Sequence, residues 1–425
     1  MTAVQRLRYA LAGARLAAGK RAKTLDLWGN DLYLSHVYRT VKRLTYPTHV
    51  AVLGDMLGSQ WISDDEFQHR GHRFWRRIFT DAQPVSAADL AAGSADGQAW
   101  QDKLIMLPGN HDVGYAGDMS RPKLQRYERM FGPCNYRLAF HPPANASFTI
   151  AEPPELRIAV LNSLTLDTPI WDKSLADESY AFVDALHRNR SAYPTQATVL
   201  LTHLPLHKPA NVCVDGPQTV YFDKALGGGI RSQNFLSDTA SDLLKRRVFG
   251  HPAGNEAGSS SRSRGVVLTG HDHEGCQSVH FWDDHGGDGD GDGDGGSRWR
   301  VARHAEWVAS GREGRTEAVR EITVRSMMGE FGGNAGLLSA WFDWDRHGTS
   351  APRPLSRNSV WLTWIEWRFE YSFCALGVQH LWWTVHVVNV IAAVWATVLA
   401  LWYLVYFAMP RSPVAVVVEP AKKTQ

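Results

Sequence analysis

From Tyr371 to Pro410 the chain carries no Asp, Glu, Lys or Arg, and Val385–Phe407 is almost wholly apolar. A helix that crosses the hydrocarbon layer of a bilayer needs roughly 20 such residues. The length of the run and its lack of charge disfavour a buried amphipathic core helix, so one membrane span is expected at 385–407. Trp361, Trp364 and Trp367 recur every third residue upstream, followed by Trp382 and Trp383. Tryptophan suits the membrane–water interface, and 346–384 therefore reads as a Trp-rich juxtamembrane segment.

Flanking charge sets the expected orientation. Glu366, Arg368 and Glu370 precede the span with one positive charge, whereas Arg411, Lys422 and Lys423 follow it. The positive-inside tendency places the tail, 408–425, in the cytosol and the large N-terminal part across the membrane. The chain ends "KKTQ", which resembles the dilysine signal that retrieves membrane proteins to the endoplasmic reticulum (ER). Two sequons, at Asn145 and Asn189, fit a lumenal domain, although sequons also arise by chance.

Upstream of the span, 45 Lys plus Arg nearly cancel 43 Asp plus Glu. Six of the basic residues fall in the first 25 positions, which hold no acid; they leave a formal −4 on the rest of a chain whose total is +2. That is no nucleic-acid footprint. Residues 1–25 read as an atypical basic leader. They have the charge of a mitochondrial transit peptide but no serine, and that address conflicts with "KKTQ". Four cysteines are too scattered for a disulfide scaffold. One bridge, Cys213 to Cys276, is open to the chain in an oxidising compartment, and spacing alone leaves it undecided.

From Leu25 the chain reads as globular, and "NDLYLSHVYRTVKRL" has helical periodicity. Short apolar runs then alternate with longer polar or helical stretches, the pattern of an α/β fold, over a domain set at 26–345. Two tracts cannot bury apolar area and read as disordered insertions, 250–264 and 283–297. The Gly-Asp repeat in the second lacks the spaced apolar residue of a calcium-binding repeat.

The apolar runs share one feature: most end in a metal-ligand residue. "HVAVLGD" ends at Asp55, "KLIMLPGNH" at Asn110 and His111, "TVLLTH" at His203, and "GVVLTGHDH" at His271 and His273; a fifth, "LRIAVLNS", ends at Asn162. In open α/β sheets, sites form outside the carboxyl ends of strands. Mixed oxygen and nitrogen donors at four such ends are the composition expected of a divalent-metal site. If the last run stays extended, alternation faces His271 and His273 into the crevice and turns Asp272 away.

Gly54-Asp55, Gly109-Asn110-His111-Asp112, His203 and Gly270-His271-Asp272-His273 resemble the ordered motifs of calcineurin-like metallophosphoesterases. Longer stretches, "LGDMLGSQWISDDEF", "PGNHDVGYAGDM", "GHDHEGC" and "EITVRSMMGEFGGNAGLL", are similar to the branch of membrane-anchored ER phosphodiesterases that trim ethanolamine phosphate from the mannoses of glycosylphosphatidylinositol (GPI) anchors. The resemblance implies a four-layer αββα sandwich and two divalent ions, Mn²⁺ first, with Zn²⁺ or Fe as alternatives. It implies that Asp55 bridges the two ions, that Asn110, His203 and His271 complete the second, and that His273 binds the first. His111 would protonate the departing mannose oxygen, with Asp112 orienting it. Implied partners are GPI-anchored glycoproteins, the bilayer, and vesicle-coat and cargo-receptor machinery; no nucleic acid is expected.

One element of the family pattern is absent. The family opens with Asp-x-His, or a close variant, at the end of a first strand, and supplies two ligands to the first metal there. Upstream of Asp55 no apolar run ends that way, and the branch's N-terminal membrane segment is missing as well. The expectation is a truncated or mis-spliced N-terminus, with a natural non-catalytic variant as the alternative.

Overall fold

The computed structural model describes residues 3–92, 100, 102–142, 153–191, 195–250, 264–283, 298–312, 317–343 and 366–409. In chain order these form α1 (Ala3–Thr45), β1 (Val50–Val52), α2 (Asp64–Arg73), β2 (Gln83–Pro84), α3 (Ala87–Ala92), β3 (Lys103–Met106), α4 (Asn110–Val113) and α5 (Arg121–Phe131). Then come β4 (Tyr136–Phe140), β5 (Glu155–Val160), α6 (Lys173–Arg188), β6 (Gln196–Thr202), β7 (Thr219–Tyr221), β8 (Ile230–Gln233) and α7 (Asp238–Leu244). Last are β9 (Arg264–Thr269), β10 (Cys276–Asp283), β11 (Arg298–Arg303), α8 (His304–Ala309), β12 (Ala318–Thr323), β13 (Asn334–Asp343), β14 (Glu366–Ala375) and α9 (Gln379–Ala408).

Two sheets carry the domain. One has the order β1-β3-β2 and is wholly parallel. The other runs β11-β10-β12-β9-β6-β5-β4, with β12, β9, β6 and β5 parallel at its centre and antiparallel strands at both edges. Every residue of β6, "QATVLLT", is buried, as expected of a parallel strand covered on both faces. One core cluster joins Ile105 and Leu107 from the smaller sheet to Leu138, Val160, Leu201, Val266 and Ile322 from the larger one. A second takes the opposite faces of the same strands, Leu104, Met106, Leu200 and Val267, and packs them under the helices.

The helices form where stripe and cap agree. In α5 the buried residues Leu124, Tyr127 and Phe131 recur at helical spacing. Helix α2 starts at Ser63, whose hydroxyl accepts the Glu66 amide, and has three acids in its first turn, the sign the helix dipole favours there. Asp31 of α1 accepts a two-pronged contact from Arg73 of α2 at 2.6 and 2.9 Å.

Several expected boundaries move. Helix α1 is continuous through position 25, with residues 12–26 exposed and its second half packed on the domain. Within the expected juxtamembrane segment, 366–375 is instead strand β14, paired antiparallel with β13, and Trp367 Nε1 donates to the Thr195 carbonyl. The apolar helix begins at Gln379, earlier than expected; it is long and apolar enough to span a membrane, and none of its residues is buried. Cys213 and Cys276 are joined in a disulfide. Asn189 is exposed at the end of α6, whereas Asn145, residues 251–263 and 284–297 of the two low-complexity tracts and the lysines of "KKTQ" lie outside the described residues.

Candidate metal centre

The expected ligands stand on the turns that follow four parallel strands: β1 (Asp55), β3 (Asn110), β6 (His203) and β9 (His271). Each turn is tight. After β1, Gly54 has φ +99° and Asp55 φ +59°, which bends the chain back toward the strand ends. A Cβ on Gly54 would lie 2.5 Å from His203 Nδ1, and one on Gly109 would lie 2.2 Å from Asp55 Oδ1. Both positions therefore require glycine. His271 adopts φ +71°, a left-handed conformation that costs a non-glycine residue of order 1–3 kcal/mol and persists where the surroundings impose it.

The donor atoms of Asp55, His203 and His271 lie within 4.8 Å of one another. Asn110 joins them, with its Oδ1 3.0 Å from His203 Nε2. Hydrogen bonds select the tautomers. His203 Nδ1 lies 2.7 Å from the Leu53 carbonyl, which can only accept, so that nitrogen carries the proton and Nε2 turns to Asn110 and to Asp55 Oδ2, 3.5 Å away. His271 Nε2 likewise lies 3.0 Å from the Gln233 carbonyl, which leaves Nδ1 as its free donor atom. A backbone acceptor behind each imidazole is the usual way of aiming a metal-binding histidine.

The electrostatics agree. Burial opposes ionisation of Asp55, but His203 and His111 outweigh it and hold the carboxyl well below the usual range. Burial disfavours charge on His203, yet the Asp55 carboxylate overrides it and raises the pKa. Burial, helped by His203, pushes His271 down to about 3, so it is a neutral donor. The cluster thus draws a positive charge to the point where oxygen and nitrogen donors meet, and this donor set fits a divalent cation.

The other expected residues sit differently. His111 gives its backbone amide to Asp55 Oδ1 at 2.9 Å, while the residue is exposed at the crevice. Asp112 is fully buried, and its two oxygens accept the amides of Leu57 (3.0 Å) and Gly109 (2.9 Å); no bond runs to the His111 ring. Burial, with Asp55 adding repulsion, pushes its pKa up to about 7. His273 lies outside the donor group, its ring 4.8 Å from that of Phe331. The simple alternation fails because β9 ends at Thr269 and His271 turns left-handed; Asp272 is buried, with Oδ1 accepting the Glu274 amide. Asn162 caps the short turn Ser163–Thr165 and takes no part in the cluster. The aiming carbonyls of Leu53 and Gln233, and the Tyr115 ring 6.0 Å from His271, were not anticipated. A carbonyl has no signature in sequence, because every residue supplies one.

No family model matches the chain. It is similar to Protein TED1 of Saccharomyces cerevisiae, 30% identical over 411 residues, covering 84% of this chain and 74% of that protein. Metallophosphoesterase 1 of Danio rerio is 24% identical over 64% of this chain and 63% of its own length. Metallophosphoesterase 1 homolog of Drosophila melanogaster is 22% identical over 63% of each chain. The chain thus spans a little under two thirds of these two proteins. A solved structure of GAP50, the anchor in the inner membrane complex of Plasmodium, aligns at a TM-score of 0.31 and 9% identity, covering 64% of this chain and 66% of that one.

Proposed function

Because this chain belongs to the calcineurin-like metallophosphoesterases, we propose that it is a metal-dependent phosphodiesterase of the ER membrane. It removes ethanolamine phosphate from mannose of GPI anchors and so aids ER exit of GPI-anchored proteins. The observation that carries the reading is the convergence of Asp55, Asn110, His203 and His271 on one point at the carboxyl ends of four parallel strands.

The finer architecture is the four-layer αββα sandwich, a reading supported by one core cluster shared between the sheets and another beneath the helices. Asp55, Asn110, His203 and His271 would hold the second divalent ion, with Mn²⁺ first and Zn²⁺ or Fe as alternatives, and Asp55 and His273 would serve the first. A divalent ion in this place supplies Lewis acidity toward a phosphoryl oxygen and lowers the pKa of water. Water, giving up one proton to solvent, would add to phosphorus as the phosphorus–oxygen bond to mannose breaks, and His111 would give its proton to the departing oxygen and regain one from solvent. Asp112 holds the turns after β1 and β3 in register, so that Asp55 and Asn110 face each other.

The catalytic domain is lumenal and the C-terminus cytosolic. The Cys213–Cys276 bridge and the exposed sequon at Asn189 support an oxidising, glycosylating compartment. Within that placement, the partners are GPI-anchored glycoproteins and the vesicle-coat and cargo-receptor machinery that carries them.

A non-catalytic ER membrane adaptor is a second reading, favoured by the separation of His273 from the donor group. A phosphoesterase acting on another lumenal substrate is a third. Elemental analysis of the purified chain, with hydrolysis of a GPI glycan followed by released ethanolamine phosphate, separates them. The expected result is about one tightly held ion per chain and slow, metal-dependent release. Asp55→Ala and His271→Ala abolish it, and His111→Ala slows it with metal retained. Normal turnover in all three variants would sink the site, while two tightly held ions with full activity would overturn the one-ion expectation.

A further inference from the structure

Away from the metal centre, a cavity of about 560 Å³ opens where α1, the turn Gly329–Phe331 and the start of α9 meet. Its walls include two indole rings, Trp28 and Trp383, with centroids 6.1 Å apart and planes tilted by 37°. They also include two carboxylates, Asp26 and Glu330. The described part of the wall holds no Lys or Arg. Asp26 pairs with Lys23 at 2.7 Å, but both side chains are more than half exposed, so that contact contributes little and exchanges readily. Glu330 is exposed and has no ion-pair partner among the described residues.

The walls are closely fitted. A Cβ on Gly29 would come within 2.7 Å of the Trp383 ring, and one on Gly329 within 2.0 Å of Gln379 Cβ. Glycine at both positions lets the helix, the turn and the span close on one another. Two π faces and two carboxylates suit an organic ammonium group, which gains from ring quadrupoles and opposite charge together. The position supplies the source. Trp383 and Gln379 lie in the first turns of the apolar helix, so the cavity stands at the level where the chain enters the bilayer.

We propose that this cavity binds the ammonium headgroup of a zwitterionic membrane phospholipid, phosphatidylethanolamine or phosphatidylcholine. The site is separate from the phosphoesterase reading and does not depend on it. It nonetheless touches the same turn: Phe331, next to Glu330, packs on His273 at 4.8 Å, so a seated headgroup braces the wall beside the metal centre.

Native mass spectrometry of the full chain tests this, in micelles doped with equal amounts of dioleoyl phosphatidylcholine, phosphatidylethanolamine and phosphatidylglycerol. The two zwitterionic lipids should be retained roughly fivefold to tenfold over phosphatidylglycerol, as expected of one cation–π contact with a charge pair. The double variant Asp26→Asn, Glu330→Gln alters exposed side chains and should lose that preference with an unchanged melting temperature. Trp383→Leu should weaken retention of both lipids as well. Equal retention of all three lipids, or a preference untouched by the double variant, overturns the proposal. So does soluble phosphocholine binding as tightly as the lipid, which would make the cavity a small-molecule site.

Discussion

Asp112 is fully buried between two backbone amides, and those bonds hold the metal turns together. Asp112→Ala leaves the amides of Leu57 and Gly109 without partners, each at about 1–3 kcal/mol. A loss of roughly 2–6 kcal/mol is therefore expected in thermal or urea melts, together with weaker metal binding by elemental analysis. A second residue-scale test concerns a different buried group. His280 lies 2.6 Å from Glu321 Oε2, and Glu321 also pairs with Lys208 at 2.9 Å, all three fully buried. Burial holds the His280 ring at about 4, below the value of 6.5 expected when unfolded. The folded state thus binds fewer protons between those limits. Stability is fully present above 6.5 and is lost as pH falls through that window, by about 2 kcal/mol at pH 5. Glu321, where burial is outweighed by Lys208 and His280 and the carboxyl is held at about 2, adds a loss of the same sign only below about 4.5. Melting temperatures at pH 7 and pH 5 check this: His280→Gln should shrink the difference, and an equal drop in the variant would refute it.

At the scale of elements, the loop after β6 and the start of β10 are joined by the Cys213–Cys276 bridge across 63 residues of chain. Arg303 adds hydrogen bonds to the carbonyls of Asn211 and Val212 in the same loop. A bridge closing a loop of that size contributes about 4 kcal/mol in the chain-entropy account. Reductant should lower stability by up to that amount and also loosen metal binding, because His203 leads into the loop and His271 into the strand that the bridge ties together. Equal metal affinity in reduced and oxidised protein would show that the bridge does not brace the site. The strand ends were legible in sequence because an apolar run followed by a ligand residue is a local pattern, and Asp55, Asn110, His203 and His271 each show it. Strand β14 was overlooked although Trp367, Phe369, Tyr371 and Phe373 alternate with polar Arg368, Glu370 and Ser372. The three-residue tryptophan spacing upstream overlaps that period of two at Trp367 and masks it. The aiming carbonyls, and the left-handed turn at His271 that separates it from His273, depend on tertiary packing and leave no local trace.

At the scale of the whole molecule, the membrane helix is bound to the domain rather than strung from it. Only Leu376–Val378 separate β14 from α9, and the Tyr33 hydroxyl of α1 donates to the Gly377 carbonyl within that connection. Trp382 then packs on Tyr33 and His36, at 5.9 and 5.5 Å, while Trp383 packs on Trp28. Inserting a flexible Gly-Ser segment of about ten residues after Gly377 breaks this arrangement without touching the metal centre. Hydrolysis of a soluble phosphodiester should then be unchanged, while turnover of a bilayer-anchored substrate should change severalfold; identical effects on both would argue against any role for the mount. A short, clamped connection leaves the crevice little freedom of height above the bilayer. On the proposed reading of the site, it would make the protein a ruler as well as a scaffold, sorting anchored substrates of the same chemistry by the height of their phosphate above the lipid surface.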